Sequence, residues 1–194
     1  NVYQKLLIAS MGISAVLLFN SCRQSVGDTS LVEDNTKDKV VLAYVFVENN
    51  LIQPEQIAAR KLTHINYAFA NIENGVIKKG FESDEQNFAL LNSLKKENPD
   101  LKVLISVGGW TWSGNFSDMA LTEESRSKFA KSAAEFVRKY KLDGIDIDWE
   151  YPGLPGIGNT HRPEDKKNYT LLLKALRDEL DKYEAEDKKH YLTT

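Results

Sequence analysis

A single cysteine, Cys22, leaves this chain of 194 residues without an internal disulfide framework. Basic residues are not in surplus either: 25 Lys and Arg stand against 28 Asp and Glu, a net charge of -3. Attraction to nucleic acid through counterion release is therefore not expected, nor is any partner that needs a positive surface. Only three histidines are present, and His64, His161 and His190 have neither metal-ligand spacing nor a triad partner. They read as structural or solvated, and no metal or other cofactor is expected. There is no glycine-rich phosphate loop behind the first strand candidate, where an open nucleotide-binding sheet often carries one. Low-complexity and repeat patterns are missing too, and 42% hydrophobic with 27% charged residues is the balance of an ordinary globular domain.

Long apolar runs are missing everywhere except at the start. Lys5 is followed by LLIASMGISAVLLFNS, uncharged and apolar on all faces, ending at Cys22. The run is short for a membrane span and reads as the hydrophobic region of an export signal; the alternative is a core helix with an incidental cysteine. LFNSC at 18 to 22 resembles a bacterial lipoprotein signal, with Leu18 and Ser21 in fitting places and Phe19 and Asn20 looser. That resemblance implies lipidation of Cys22, contact with a membrane only through that anchor, and a place in the cell envelope. Residues 23–37 are polar and aperiodic and read as a flexible tether, leaving 38–194 as the folded domain.

Beyond the tether two kinds of segment alternate. VVLAYVFV (40–47), HINYAFA (64–70), LKVLISVGG (101–109) and LDGIDIDWE (142–150) read as strands of a parallel sheet buried on both faces, and HYLTT (190–194) as the start of a fifth. Between them, Gln53-Pro54-Glu55 predicts a helix start. Ser83 and Gln86 have capping-box spacing ahead of Phe88, Leu91 and Leu94. Phe129, Ala133, Phe136, Val137 and Tyr140 form one stripe, and Tyr169, Leu172, Leu173, Leu176 and Leu180 another. Such alternation means βαβ units. Periodicity does not decide between an open sheet and a barrel; a (β/α)8 barrel needs about 250 residues, so four units and the start of a fifth would make this chain about its first half.

The chemistry concentrates in one strand. Side chains alternate across a strand, so Asp146, Asp148 and Glu150 share one face while Ile145, Ile147 and Trp149 share the other. With the apolar set under the helices, the acids point inward, where crowding and desolvation raise at least one carboxyl pKa and can keep a proton available for general-acid work. Glu150 comes last, at the strand end where barrel active sites lie. Two other readings stay open on alternation alone: an edge strand with a wet acidic face, and a carboxylate cage for Mg²⁺ or Ca²⁺, for which a single strand is an awkward source of ligands.

Asp143-Gly144-Ile145-Asp146-Ile147-Asp148-Trp149-Glu150 resembles the signature of glycoside hydrolase family 18, the chitinases and their relatives, and Ser106-Val107-Gly108-Gly109-Trp110 resembles its second motif. Both occur in order on consecutive strands, followed by YPG and RPEDKKNYTLLLKAL. The likeness runs from about Val40 to Thr194 and implies a (β/α)8 barrel that hydrolyses β-1,4-linked N-acetylglucosamine, as a monomer when full length. It implies that Glu150 is the general acid and base of a retaining mechanism assisted by the substrate's acetamido group. Asp148 would hold the acetamido N–H and stabilise the oxazolinium ion; Asp146 would tune Asp148, with Ser106 and Tyr44 as hydrogen-bond partners. Trp110 would stack on a sugar, Tyr151 would meet substrate, and Phe69 would line the sugar site or serve the core. Asp143 would be a supporting residue. For Gly108 and Gly109 the residues suggest only a close backbone approach at the strand end.

Ala43-Tyr44-Val45 stands where the family commonly has glycine and two tyrosines. The family also draws a tyrosine, an aspartate and a tryptophan from later strands, which would lie beyond Thr194. The 194 residues alone are therefore expected to be inactive, with an aggregation-prone open sheet edge. Trimming of glycoprotein glycans and carbohydrate binding without catalysis are the competing expectations; the lectin-like relatives typically lose the acid, and Glu150 is present.

Overall fold

The computed structural model describes residues 39–194. The signal reading of residues 1–22, the lipidation of Cys22 and the tether at 23–37 lie outside the described residues. Five strands form a parallel sheet in the order β1 (Leu42–Phe46), β2 (His64–Glu73), β4 (Lys102–Gly108), β5 (Gly144–Asp148) and β6 (Leu192–Thr193). Between β2 and β4, the short β3 (Val76–Lys78) folds back antiparallel on β2. The helices are α1 (Asp84–Ser93), α2 (Gly109–Trp112), α3 (Phe116–Met119), α4 (Glu123–Lys139) and α5 (Asp165–Asp187). This is the βαβ order expected from the sequence, and every strand in the main sheet sits beside its predecessor in that sheet.

The outward faces of the strands carry Ile65, Tyr67, Ile105, Val107, Ile145 and Ile147, all buried against the helices. Facing them are Phe88 and Leu91 of α1, Phe129, Ala133 and Val137 of α4, and Leu172, Leu176 and Leu180 of α5, at most 1% exposed. Each large side chain in that layer contributes about 2 kcal/mol of apolar burial. The inner layer differs: Tyr44, Asn66, Ser106 and Asp146 share the concave side with Ala68 and Leu104. Its polarity marks that side as the place for chemistry.

Three expectations are corrected by the hydrogen bonding. After β1 there is no helix from Pro54, only single turns at Pro54–Gln56 and Ala59–Lys61. Side chains from later elements bond the backbone on either side of these turns instead. Ile52 N–H donates to Asn87 Oδ1 at 2.9 Å, Asn87 Nδ2 donates to Asn50 O at 2.9 Å, and Asn98 Nδ2 reaches the carbonyls of Ala59 and Leu62. The capping box at Ser83 and Gln86 does not form, because Ser83 Oγ donates to Glu48 O at 2.8 Å. Asp84 closes that helix start instead, accepting Gly80 N–H at 2.8 Å and Phe81 N–H at 3.0 Å; the reciprocal box appears on α4, between Thr122 and Ser125. Finally, β2 runs past Ala70 to Glu73 and turns through Asn74-Gly75, both with positive φ as a two-residue hairpin turn requires.

Candidate active site

The site is built at the C-terminal end of β4 and β5. The register sets Ser106 beside Asp146 and Gly108 beside Asp148. On the outward face Trp149 is 5% exposed and stacks on Phe116, with ring centroids 5.2 Å apart and planes 11° from parallel; Tyr169 meets its edge at 5.9 Å. That packing fixes the rotation of the strand. Alternation then sends Asp146, Asp148 and Glu150 to the concave side.

Depth distinguishes the three acids. Asp146 is buried and both of its oxygens are occupied: Oδ2 accepts from Tyr44 Oη at 2.9 Å and Ser106 Oγ at 2.7 Å, and Oδ1 accepts from Thr194 Oγ1 at 2.8 Å. Three hydroxyl donors from three other strand segments thus converge on one carboxylate, a charge-assisted arrangement that holds it in place. Asp148 is half-buried, and desolvation, followed by the neighbouring charges of Glu150 and Asp146, pushes its pKa above the ordinary carboxylate value. Glu150 lies two residues past the end of β5, half-buried at the rim. The Tyr151 hydroxyl lies against the Glu150 carboxylate, which raises the phenol's pKa. Burial, then the Asp146 carboxylate, likewise raise Tyr44, so its phenol remains a donor. Such a ladder, from a locked carboxylate to one with raised proton affinity to one at the mouth, can deliver and recover a proton at the rim.

The other sequence-predicted residues fall in three places. Trp110, on α2 directly behind β4, is 48% exposed at the rim, and Tyr151 is exposed beside Glu150. Phe69 packs on Phe46 at 6.0 Å and against Gly109. Gly108 has φ 106°, and a Cβ there would collide with Asp148 O and the Phe116 ring, so a side chain would push β4 and β5 apart. Asp143 sits at the opposite, N-terminal end of β5. It accepts Val103 N–H at 2.7 Å and pairs with Lys95 at 2.5 Å and Lys189 at 2.7 Å, away from the rim. Its role there is to fasten β5 to β4 and to the chain entering β6.

Sequence reasoning missed three contributors. Thr194 reaches Asp146 because HYLTT continues the alternation in register with β5, a signal carried by the pairing of Gly144 with Leu192. Ser113 and Asn159 bond the backbone of Glu150 from two loops, which no periodicity announces. Among the described residues, no group of three or more His, Cys, Asp and Glu side chains converges as a metal cage, and no helix is long and apolar enough to cross a membrane.

Comparison with known proteins agrees with this geometry. The model of the family described as glycosyl hydrolases family 18 matches residues 38–194. Chitinase A1 of Niallia circulans is 44% identical over 181 residues, which cover 69% of this chain and 26% of that relative. Among solved structures, chitinase ChiA74 from Bacillus thuringiensis superposes with a TM-score of 0.73 at 36% identity, covering 78% of this chain and 34% of that one. A family 18 N-acetylglucosaminidase from Paenibacillus barengoltzii gives 0.70 at 44% identity, covering 79% and 44%. The chain spans between 26% and 36% of the length of the first curated relatives it matches.

Proposed function

Because this chain belongs to the glycosyl hydrolases of family 18, we propose that it serves hydrolysis of β-1,4-linked N-acetylglucosamine in chitin and chitooligosaccharides, with Glu150 as the acid. The observation that carries the reading is the graded set of carboxyls: Asp146 locked by three hydroxyls, Asp148 with a raised pKa, and Glu150 at the rim. In the first step the Glu150 carboxyl gives its proton to the glycosidic oxygen as the bond from C1 breaks. The substrate's acetamido oxygen attacks C1 from the opposite face, so no second enzymic nucleophile is required. Asp148 accepts the acetamido N–H and balances the positive charge of the oxazolinium ion. In the second step the Glu150 carboxylate takes a proton from water as that water attacks C1, which restores the acid and retains the anomeric configuration. Asp146 tunes Asp148, whose pKa the neighbouring Asp146 carboxylate helps to raise. Trp110 and Tyr151 offer exposed rings on which sugars beyond the cleaved bond can stack.

Relatives named as chitinases support the substrate class. The Paenibacillus relative, an N-acetylglucosaminidase, supports a second reading in which terminal or glycan-borne N-acetylglucosamine is released. Export, with the protein lipid-anchored through Cys22, completes the proposal; mass spectrometry of the N-terminus should find a diacylglyceryl cysteine, and an unmodified Cys22 in the intact chain would overturn that part. For the reaction itself, the intact protein is incubated with chitotetraose and the products are separated by chromatography. Shorter N-acetylglucosamine oligomers are expected; unchanged tetramer would contradict the assignment.

A further inference from the structure

Glu150 stands beyond the hydrogen-bonded end of its own strand, since the β4–β5 register stops at Gly108 and Asp148. Its peptide groups are nevertheless both taken. Ser113 Oγ accepts the Glu150 N–H at 2.9 Å, and Asn159 Nδ2 donates to Glu150 O at 3.1 Å. Ser113 is fully buried at the end of α2, and its hydroxyl proton goes to Gly109 O at 2.8 Å, with Asp148 O at 3.2 Å as the second acceptor in reach. Asn159 comes from the loop between β5 and α5. That loop is itself tied down by the buried carboxylate of Asp165, which accepts Ser117 Oγ and Arg162 N–H, both at 2.7 Å. Two loops from two different strand ends therefore grip the two peptide groups that flank one residue.

We propose that Ser113 and Asn159 are positioning residues that clamp the Glu150 main chain and aim its carboxyl at the leaving oxygen; this rests on the reading of Glu150 as proton donor. The bond from Ser113 Oγ to Gly109 O is the ordinary one within its own turn, but the same oxygen also meets Asp148 O and the Glu150 N–H, at the point where the strand ladder has ended. Proton transfer demands placement more strictly than sugar binding does, because the donor must reach one oxygen at hydrogen-bond distance while the bond to C1 stretches. Loosening the clamp should therefore injure proton delivery before it injures affinity.

Leaving groups separate these two effects. A sugar alkoxide must be protonated as it departs, whereas dinitrophenolate departs as a stable anion. The specificity constant kcat/KM reports bond cleavage, so it is measured in the intact protein for chitotetraose and for dinitrophenyl chitobioside. With Ser113→Ala, and with Asn159→Ala, we expect about a tenfold loss on chitotetraose and less than about twofold on the dinitrophenyl substrate. Equal losses on both substrates, or no loss on either, would overturn the clamp. Should Ser113→Ala fail to fold, Asn159→Ala, at a partly exposed loop position, decides alone by the same criterion. Glu150→Gln is the reference: if it fails to show the selective loss, the reading of Glu150 falls, whereas a selective loss there without one at Ser113 and Asn159 removes only the clamp.

Discussion

At the scale of single residues, three acids on one strand face sit in three different surroundings. Asp148 owes its raised pKa first to burial, then to the charges of Glu150 and Asp146. If Asp148 must be ionised to accept the acetamido N–H, the acid limb of kcat/KM reports its titration. Replacing Asp146 by Asn removes one of the two like charges, which lowers the pKa of Asp148, so the acid limb should move to lower pH. The same change should reduce kcat, because Tyr44, Ser106 and Thr194 lose the anion they converge on. A limb that stays in place or moves upward in a pH profile would show that Asp146 does not act on Asp148. Alternation alone places these carboxyls on one face, and the residues of LDGIDIDWE carry that information openly. What alternation does not contain is depth, which depends on how far β5 extends past its neighbours and which hydroxyls meet it from β1, β4 and β6.

At the scale of elements, the same strand carries a structural acid at its other end. Asp143 is 4% exposed and joins Lys95, Lys189 and the Val103 N–H. Burial by itself would raise its pKa, but Lys189, Lys95 and that N–H outweigh burial and hold it below the ordinary value. A folded-state pKa below the unfolded value of 3.8 means that the carboxylate's contribution is complete above that pH and is lost as pH falls through the lower folded value. Asp143→Ala should cost about 3 kcal/mol, because it strands two partly buried ammonium groups and an amide. Denaturant melts at neutral pH check this, and the gap between variant and parent should close as the pH falls below that range; a loss under about 0.5 kcal/mol would mean the pairs are merely superficial. The position of the helices α4 and α5 was readable from their apolar stripes, whereas the segment after β1 was not. Its backbone is satisfied by Asn87 and Asn98, which come from distant parts of the chain and leave no local mark.

At the scale of the whole molecule, a parallel sheet with helices on its outer face and polar side chains on its inner one presents its chemistry at the C-terminal ends of the strands. The second motif, at Ser106 to Trp110, and the acidic strand occupy neighbouring strands for that reason, and their order in the chain made the family legible. Substrate choice is less legible: under the proposed function it would depend on exposed rings such as Trp110 and Tyr151 and on loops whose contacts no periodicity encodes. One measurement goes to the centre of the account. The intact protein and its Glu150→Gln variant are compared for turnover of chitotetraose and for binding of the same oligosaccharide by calorimetry. The sheet and its rim should keep binding within about twofold, while turnover should drop about a thousandfold, as expected when a positioned acid is removed. A variant that retains more than about a tenth of the parent's turnover would contradict the assignment of Glu150 as the acid, and with it the mechanism built on the graded carboxyls.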